Sequence, residues 1–408
     1  MLGQLPFCAK FWPFFMNRRP PLTILIGTES YYPTISGVAV FSRQLALELI
    51  KRGHKVHIIC PSTRFKSYSE SDNGILVHRI RAIKNPFRPR LKVSFFPRRD
   101  VVMWFHRIQP DVAHLQDPTS ICSEIIRMCN KTQTKSVMTN HFAFEYVLSY
   151  LPWLKFYHRP IAQMLEKYLI RMYNRCDFVT FPSNAIRQKF GHHKLKVPSL
   201  AISNGVDLDQ FFPSYNFEAM KMRFHLPNKP LILYVGRLDQ DKKTGLIIDA
   251  FAKMKQNDRH HLIICGEGNK KNRLMQKARR LNLTKHITFI NFINHQTELP
   301  QLYQMATVFT TASTIETQGV VVLEAMASGL PIVAPNAGAL PELVHDGQNG
   351  YLFKPDDVGD LAAKLSLILH HPSAARKMGE QSLALVGQHE VSLSIDKFER
   401  IYYNILKP

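Results

Sequence analysis

The sequence predicts an α/β protein built of two doubly wound domains with a cleft between them. Three observations lead there: chain length, the alternation of strand-sized apolar runs with amphipathic helical segments, and the recurrence of one such unit in each half. With 408 residues, 45% of them hydrophobic, the chain exceeds one ordinary core, so two domains are expected. PLTILIGTESYYPTISGVAVFSRQLALELIKRGHKVHIICP predicts a strand over Leu22–Gly27, a loop holding Gly37, a helix near Val38–Arg52 and a strand over Val56–Cys60. PLILYVGRLDQDKKTGLIIDAFAKMKQNDRHHLIICGEG repeats the plan, with a strand at Leu231–Val235, a helix near Thr244–Lys255 and a strand at His261–Cys265. Further strands are expected at Asp111–Leu115, Val137–Thr139, Phe178–Phe181, Ile287–Ile290, Val308–Thr311 and Ile332–Ala334.

Open α/β sheets bind ligands beyond the carboxyl ends of their strands. Position alone therefore selects Gly37, His141, Arg237, Gly266 and the Thr311–Gly319 loop. The Asn-Gly turn and Pro213 in ISNGVDLDQFFPSY interrupt the periodic pattern and set the domain boundary. The expected organisation is a tail over 1–21, one doubly wound domain over 22–205, a second over 206–385, and a helix over 386–408 packing back on the first domain. The aromatic, basic tail reads as a disordered or wrongly assigned start upstream of Met16, or as an interfacial membrane anchor.

Charge is unevenly spread: residues 1–205 carry 30 Lys+Arg against 11 Asp+Glu, whereas 206–408 carry 23 against 20. A one-sided basic field implies an anionic partner: a membrane surface, a nucleic acid or a phosphorylated substrate. No run approaches the roughly 20 apolar residues that span a bilayer. The six cysteines lack metal-ligand spacing, which fits a reducing cytoplasm. The histidine pairs at 192–193, 260–261 and 370–371 are read as solvated loop residues, and no metal site is expected.

The densest chemistry lies in TTASTIETQGVVVLEAMASGLP. A helix starting near Gly319 places Glu316 before its N-terminus and Glu324 about one and a half turns inside. The open N–H groups of Gln318, Gly319 and Val320 suit a pyrophosphate, and the flanking carboxylates can accept hydrogen bonds from sugar hydroxyls.

The Glu-x7-Glu motif, VGRL-x3-K at Val235–Lys242, ISNGVD at Ile202–Asp207 and GALPE at Gly338–Glu342 resemble family 4 retaining glycosyltransferases, over nearly the whole chain from Leu22. The resemblance implies the GT-B fold of two facing Rossmann-like domains, acceptor-binding in the first and nucleotide-sugar-binding in the second, Glu316 on the donor sugar, Glu324 on the ribose, Arg237 and Lys242 on the diphosphate in place of a metal, Lys243 as an understudy to Lys242, Gly37 and Gly266 at the donor, and His141 lining the reaction centre. Ser36 stands where the common pattern has the first of two glycines. No cofactor is expected beyond the nucleotide-sugar substrate, and the Asp207-x-Asp209 and Asp239-x-Asp241 pairs fall inside these motifs.

RIRAIKNPFRPRLKVSFFPRRD at Arg79–Asp100 holds eight cations and one acid with interleaved phenylalanines. That mixture suits an anionic membrane surface, with Arg88, Arg90, Arg98, Arg99 and, in LPWLKFYHRP, Trp153 as contacts. Gln318 within ETQG and the basic first half resemble the diacylglycerol glucosyltransferase branch, implying UDP-glucose, a lipid acceptor and a peripheral position on the cytoplasmic face. Alternative acceptors are sulfolipid or phosphoinositide precursors and a lipopolysaccharide core sugar. A nucleic-acid-binding protein is the alternative from another class; it leaves the second half's constellation without purpose, so no nucleic-acid partner is expected.

Overall fold

The computed structural model describes residues 20–407 apart from 35, 86–87, 143–157, 192–194, 214–217, 256 and 292, with backbone alone for 85, 88–91, 158 and 218–219. The first half forms β1 (Thr23–Gly27), β2 (Lys55–Pro61), β3 (Tyr68–Asp72), β4 (Ile75–Ile80), a separate hairpin of β5 (Ile83–Asn85) and β6 (Arg88–Val93), then β7 (Val112–Leu115), β8 (Lys135–Thr139), β9 (Phe178–Phe181) and β10 (Ser199–Ala201). Its main sheet runs β10-β9-β8-β7-β1-β2-β4-β3. All neighbours are parallel except the edge strand β3, which folds back antiparallel on β4.

The second half forms β11 (Leu231–Val235), β12 (His261–Cys265), β13 (Ile287–Ile290), β14 (Val308–Thr310), β15 (Ile332–Pro335) and β16 (Gly350–Phe353) in the all-parallel order β13-β12-β11-β14-β15-β16. The two sheets are the cores of two Rossmann-like domains. Their inner strands are apolar runs because helices cover both faces; every residue of β11 is buried, with Leu231, Leu233 and Val235 in one core and Ile232 and Tyr234 in the other. Helix Gly37–Lys51 starts where the Ser36 hydroxyl accepts the Ala39 N–H at 3.1 Å, and buries Phe41, Leu45 and Leu49 at four-residue spacing.

Strand order locates the ligand crevices. In the first sheet the chain winds outward both ways from β1 and β7, in the second from β11 and β14. Ligands of such sheets sit at these switch points, beyond the strands' carboxyl ends. Thr28–Thr34, Gly37 and Gln116 occupy one switch point; Gly236–Arg237 and Thr311–Gly319 occupy the other.

Helix Val391–Leu406 returns to the first sheet and buries Ile395, Phe398 and Tyr402 in the core that holds Ile24, Ile26 and Ile58. The Tyr402 hydroxyl and His114 Nδ1 are 2.6 Å apart, and Arg52 pairs with Asp396 and, at 2.9 Å, with Glu399. Around this crossing the Val391 N–H donates to the Val206 carbonyl at 3.0 Å and the Val206 N–H donates to the His389 carbonyl at 2.9 Å.

Two sequence expectations are corrected. His260 and His261 are buried, the latter because β12 starts there and its Nε2 lies 2.8 Å from Thr288 Oγ1; burial pushes its pKa down to about 4. The apolar run HLIIC marks that strand start in the sequence, so the strand and the solvated-loop reading of the pair conflict at His261, and the strand prevails. Arg79 is not a surface cation either: it lies inside, donating to Glu70 at 2.7 Å and to the Tyr32 carbonyl. His370 and His371 are exposed, and 192–193 fall outside the described residues. Among the described residues, no helix is long and apolar enough to cross a membrane.

Candidate active site

Helix Val320–Ala327 begins directly after Gly319, whose φ of +93° is open to glycine at little cost and whose missing Cβ would stand 3.0 Å from Leu340 Cδ2. The first N–H groups of this helix have no intrahelical acceptor, so its start, with Gln318, Gly319 and Val320, can receive an anion. Just before it, Lys242 Nζ donates to Glu316 Oε1 at 2.5 Å, both side chains largely shielded. Burial pushes the Glu316 carboxyl upward, but the Lys242 ammonium outweighs this and holds it below the usual carboxylate range. A loop lysine and a motif glutamate 74 positions apart thus form a direct ion pair.

Arg237 follows β11 and is gripped by Asp239 and, at 2.8 Å, by Asp241. Asp239-x-Asp241 is therefore the arginine's clamp, fixing the guanidinium plane beside the Lys242–Glu316 pair. Asp207 in the other Asp-x-Asp pair accepts the N–H groups of Asp209 and Gln210 as a turn former. Lys243 turns away to Asp356 at 2.7 Å, so it does not share the place of Lys242. Gly266 lies where two loops cross: a Cβ would fall 1.9 Å from the Gly236 carbonyl oxygen. The close approach it permits here is between these two loops.

Glu324 is buried on the same helix and touches His295 Nε2 at 2.9 Å and the Tyr303 hydroxyl at 2.8 Å. Burial favours the neutral imidazole of His295, yet the Glu324 carboxylate prevails and raises the histidine's pKa. Neither His295 nor Tyr303 was found from the sequence. No motif marks them, and they reach Glu324 across 29 and 21 positions.

The first half contributes its own cluster. His141 follows β8; its Nε2 lies 3.0 Å from Gln116 Oε1 and its ring packs on Phe41. Burial pushes its pKa down to about 3, so the imidazole is neutral. With Oε1 accepting, Nε2 carries the proton and Nδ1 is left as an acceptor. Glu29, after β1, accepts the Ser94 N–H at 2.7 Å; burial first, and Asp117 second, push its pKa up to about 8. Asp117 accepts from Thr28, the Glu29 N–H and Thr119. It too was missed, although its place after β7 obeys the same carboxyl-end rule. Ser36 adopts extended backbone, φ −151°, and caps the helix, so no glycine is needed there. Around Gly37 a Cβ would meet nothing within 4 Å, which leaves room at the helix start.

The basic stretch is the β5–β6 hairpin and the turn into helix Arg98–Ile108. Arg98 and Arg99 are exposed, beside Phe95 and a Phe96 that is 95% exposed. Arg88 and Arg90 lie on β6, their side chains outside the described residues, and Trp153 lies outside them altogether. Among the described residues no group of three His, Cys, Asp or Glu side chains is placed to hold a metal ion.

Comparison with known proteins bears on this arrangement directly. The model described as Glycosyltransferase Family 4 matches residues 35–210, and that described as Glycosyl transferases group 1 matches residues 217–384. Together they take in most of both halves of the chain. The chain is a family 4 glycosyltransferase. Among its relatives, an alpha-monoglucosyldiacylglycerol synthase of Streptococcus pneumoniae is 28% identical over 377 residues, covering 89% of this chain and 81% of that protein. A sulfoquinovosyl transferase of Arabidopsis thaliana is 26% identical, covering 89% and 69%. The sucrose-phosphate synthase structure from Thermosynechococcus elongatus superposes with a TM-score of 0.78 at 21% identity, covering 95% and 99%. In this family 4 glycosyltransferase the two Rossmann-like domains are those of a GT-B enzyme, and the chain is a hexosyltransferase.

Proposed function

We propose that the enzyme moves glucose from UDP-glucose to a membrane lipid acceptor such as diacylglycerol, with retention and without a metal, working peripherally at the cytoplasmic face of an anionic membrane. The observation that carries the donor side is the Lys242–Glu316 ion pair beside the clamped Arg237, at the start of helix Val320–Ala327. Fixed cations and a helix N-terminus stabilise the charge that collects on a departing diphosphate. Glu316 accepts the sugar hydroxyls, Lys242 joins it to the phosphates, and Glu324, held by His295 and Tyr303, serves the ribose. The bond from the anomeric carbon to the phosphate oxygen breaks, the acceptor hydroxyl oxygen bonds to that carbon from the same face, and its proton passes to the departing phosphate oxygen. No protein nucleophile is needed; positioning and electrostatics carry the rate.

The acceptor side rests on the exposed Phe95–Arg99 edge, where aromatic rings and cations share one surface. Each cation near an anionic leaflet contributes about 1 kcal/mol, and the rings add apolar contact. The name of the Streptococcus pneumoniae relative, an alpha-monoglucosyldiacylglycerol synthase, favours a lipid acceptor. Replacing Phe96, Arg98 and Arg99 with serine tests this. Sedimentation with phosphatidylglycerol vesicles should fall several-fold and transfer to vesicle-borne acceptor with it, while UDP affinity holds. Unchanged sedimentation would move the membrane contact elsewhere.

A further inference from the structure

Besides flanking the start of the donor-site helix, the loop 316–318 makes contacts that run to the opposite half of the protein. The Ser183 hydroxyl, after β9, donates to the Thr317 carbonyl at 2.7 Å. Gln318 is 2% exposed and spends its side-chain amide on the stretch after β10: Nε2 donates to Ser203 Oγ at 2.5 Å and Oε1 accepts the Asn204 N–H at 2.9 Å. A second tie runs through the Gly338–Glu342 turn. The Glu342 carboxylate accepts the N–H of Asn184 at 3.1 Å and of Ala185 at 2.5 Å, and the same turn holds the loop, Ala339 N–H donating to the Glu316 carbonyl at 3.1 Å. Residues 183–185 and 203–204 of the first half thus fasten three successive residues of the donor loop, directly or through one turn.

We infer that Gln318 and Glu342 are positioning residues that lock the donor loop in register with the acceptor half. The chemistry explains why such a lock would matter. The sugar carbon is held by one half and the attacking hydroxyl by the other, so their alignment depends on the register between the halves. A misplacement of about 1 Å can cost roughly a hundredfold in rate. Peripheral salt bridges would hold that register poorly. Gln318 holds it with a buried, two-way amide bond whose loss strands the buried Asn204 N–H and leaves the Ser203 hydroxyl only its bond from the Gly205 N–H. Glu342 adds charge-assisted bonds. Both ties bear on the residues flanking Glu316, so a shift of the first half is felt at the sugar-binding carboxylate.

The inference rests on the proposed donor site, and the experiment separates the two. Gln318→Leu, Glu342→Ala and the milder Glu342→Gln are compared with the wild type by steady-state kinetics, thermal unfolding, UDP calorimetry and small-angle scattering. The Gln318→Leu and Glu342→Ala variants should each lose at least tenfold in kcat while UDP affinity stays within about twofold, and their radius of gyration should exceed that of the wild type. Glu342→Gln keeps one acceptor, so its kcat should lie between that of Glu342→Ala and that of the wild type. Wild-type kcat and scattering in Gln318→Leu and Glu342→Ala overturn the inference, as does a loss in kcat matched by an equal loss in UDP affinity. If Glu342→Ala does not fold, Glu342→Gln decides: wild-type kcat overturns the role, and reduced kcat at wild-type melting temperature supports it. Should the wild type bind no UDP at all, the donor reading fails, while the scattering comparison still tests the lock.

Discussion

Replacing Lys242 with methionine removes the ammonium from Glu316 and keeps most of the side chain's volume. Two consequences can be sized from the structure. The Lys242 and Glu316 side chains retain only 20% and 14% of their exposure, so their separation acts much like the breaking of a buried pair. That costs about 3–5 kcal/mol when burial is complete, and about 2–4 kcal/mol after allowing for the residual exposure. As an electrostatic stabiliser of the leaving group, the lysine is also worth about a hundred- to thousandfold in kcat. The titration of Glu316 gives the sharper test. In the wild type burial raises its pKa but Lys242 outweighs burial, so the carboxylate stays ionised below the ordinary range. A depressed carboxyl contributes stability that is present above its unfolded pKa and is lost as the pH falls through the folded one. Without Lys242 burial is opposed only by the Ser313 hydroxyl and Arg237, so the folded pKa rises and the stability that the ionised Glu316 contributes above its unfolded pKa shrinks. The assay is UDP release and thermal unfolding from pH 4.5 to 8. The variant should show the large loss in kcat together with an acid limb displaced upward from that of the wild type, each unit of displacement corresponding to about 1.4 kcal/mol. Wild-type turnover, or a reduced turnover with an unmoved acid limb, would refute the coupling of Lys242 to Glu316.

Other outcomes follow from the same geometry. Because burial and Asp117 push Glu29 up to about 8, its contribution to stability is full below about pH 4.5 and is lost as the pH rises toward 8. Glu29→Gln should therefore gain in melting temperature over the wild type between pH 5 and pH 8, and an equal difference at both pH values would contradict the assignment. Glu324→Gln should weaken donor binding about tenfold and let the His295 pKa fall, read by imidazole NMR; an unmoved His295 titration would break the link between them. Arg237→Ala should reduce kcat by about a hundredfold or more, with a modest stability loss from the buried Asp241 it leaves behind, and wild-type turnover would remove it from the site. Excess chelator should leave activity intact; a large loss restored by magnesium or manganese would overturn the role given to Arg237 and Lys242.

How far the sequence spoke depended on the range of each contact. Strands such as Leu231–Val235 and His261–Cys265 were legible to the residue because helices cover both their faces and they read as unbroken apolar runs. The β3–β6 region was not. Tyr68–Asp72 is a mostly exposed edge strand, and Arg88–Val93 alternates cations with Pro89 and Leu91, so composition masks the backbone pairing. At the site, Glu316, Glu324 and Arg237 stood out because each belongs to a local motif. The partners that set their protonation did not: His295 and Tyr303 lie in stretches without turn or spacing signals, and they meet Glu324 only through the packing of helix Leu299–Met305 against helix Val320–Ala327. Gln318 shows the limit most clearly. Its backbone position before the helix is readable from the sequence, but its side chain serves an element more than a hundred positions away, which only the folded chain brings near.

The most direct test incubates the enzyme with isotopically labelled UDP-glucose and phosphatidylglycerol vesicles containing diacylglycerol, in excess chelator, and identifies the lipid product and its anomeric configuration by mass spectrometry and NMR. The account predicts a labelled α-glucosyl lipid, with UDP release that rises when vesicles are added and falls with salt. A β-linked product would contradict retention, and UDP release indifferent to vesicles, with label found only on a soluble acceptor, would contradict the membrane-lipid reading.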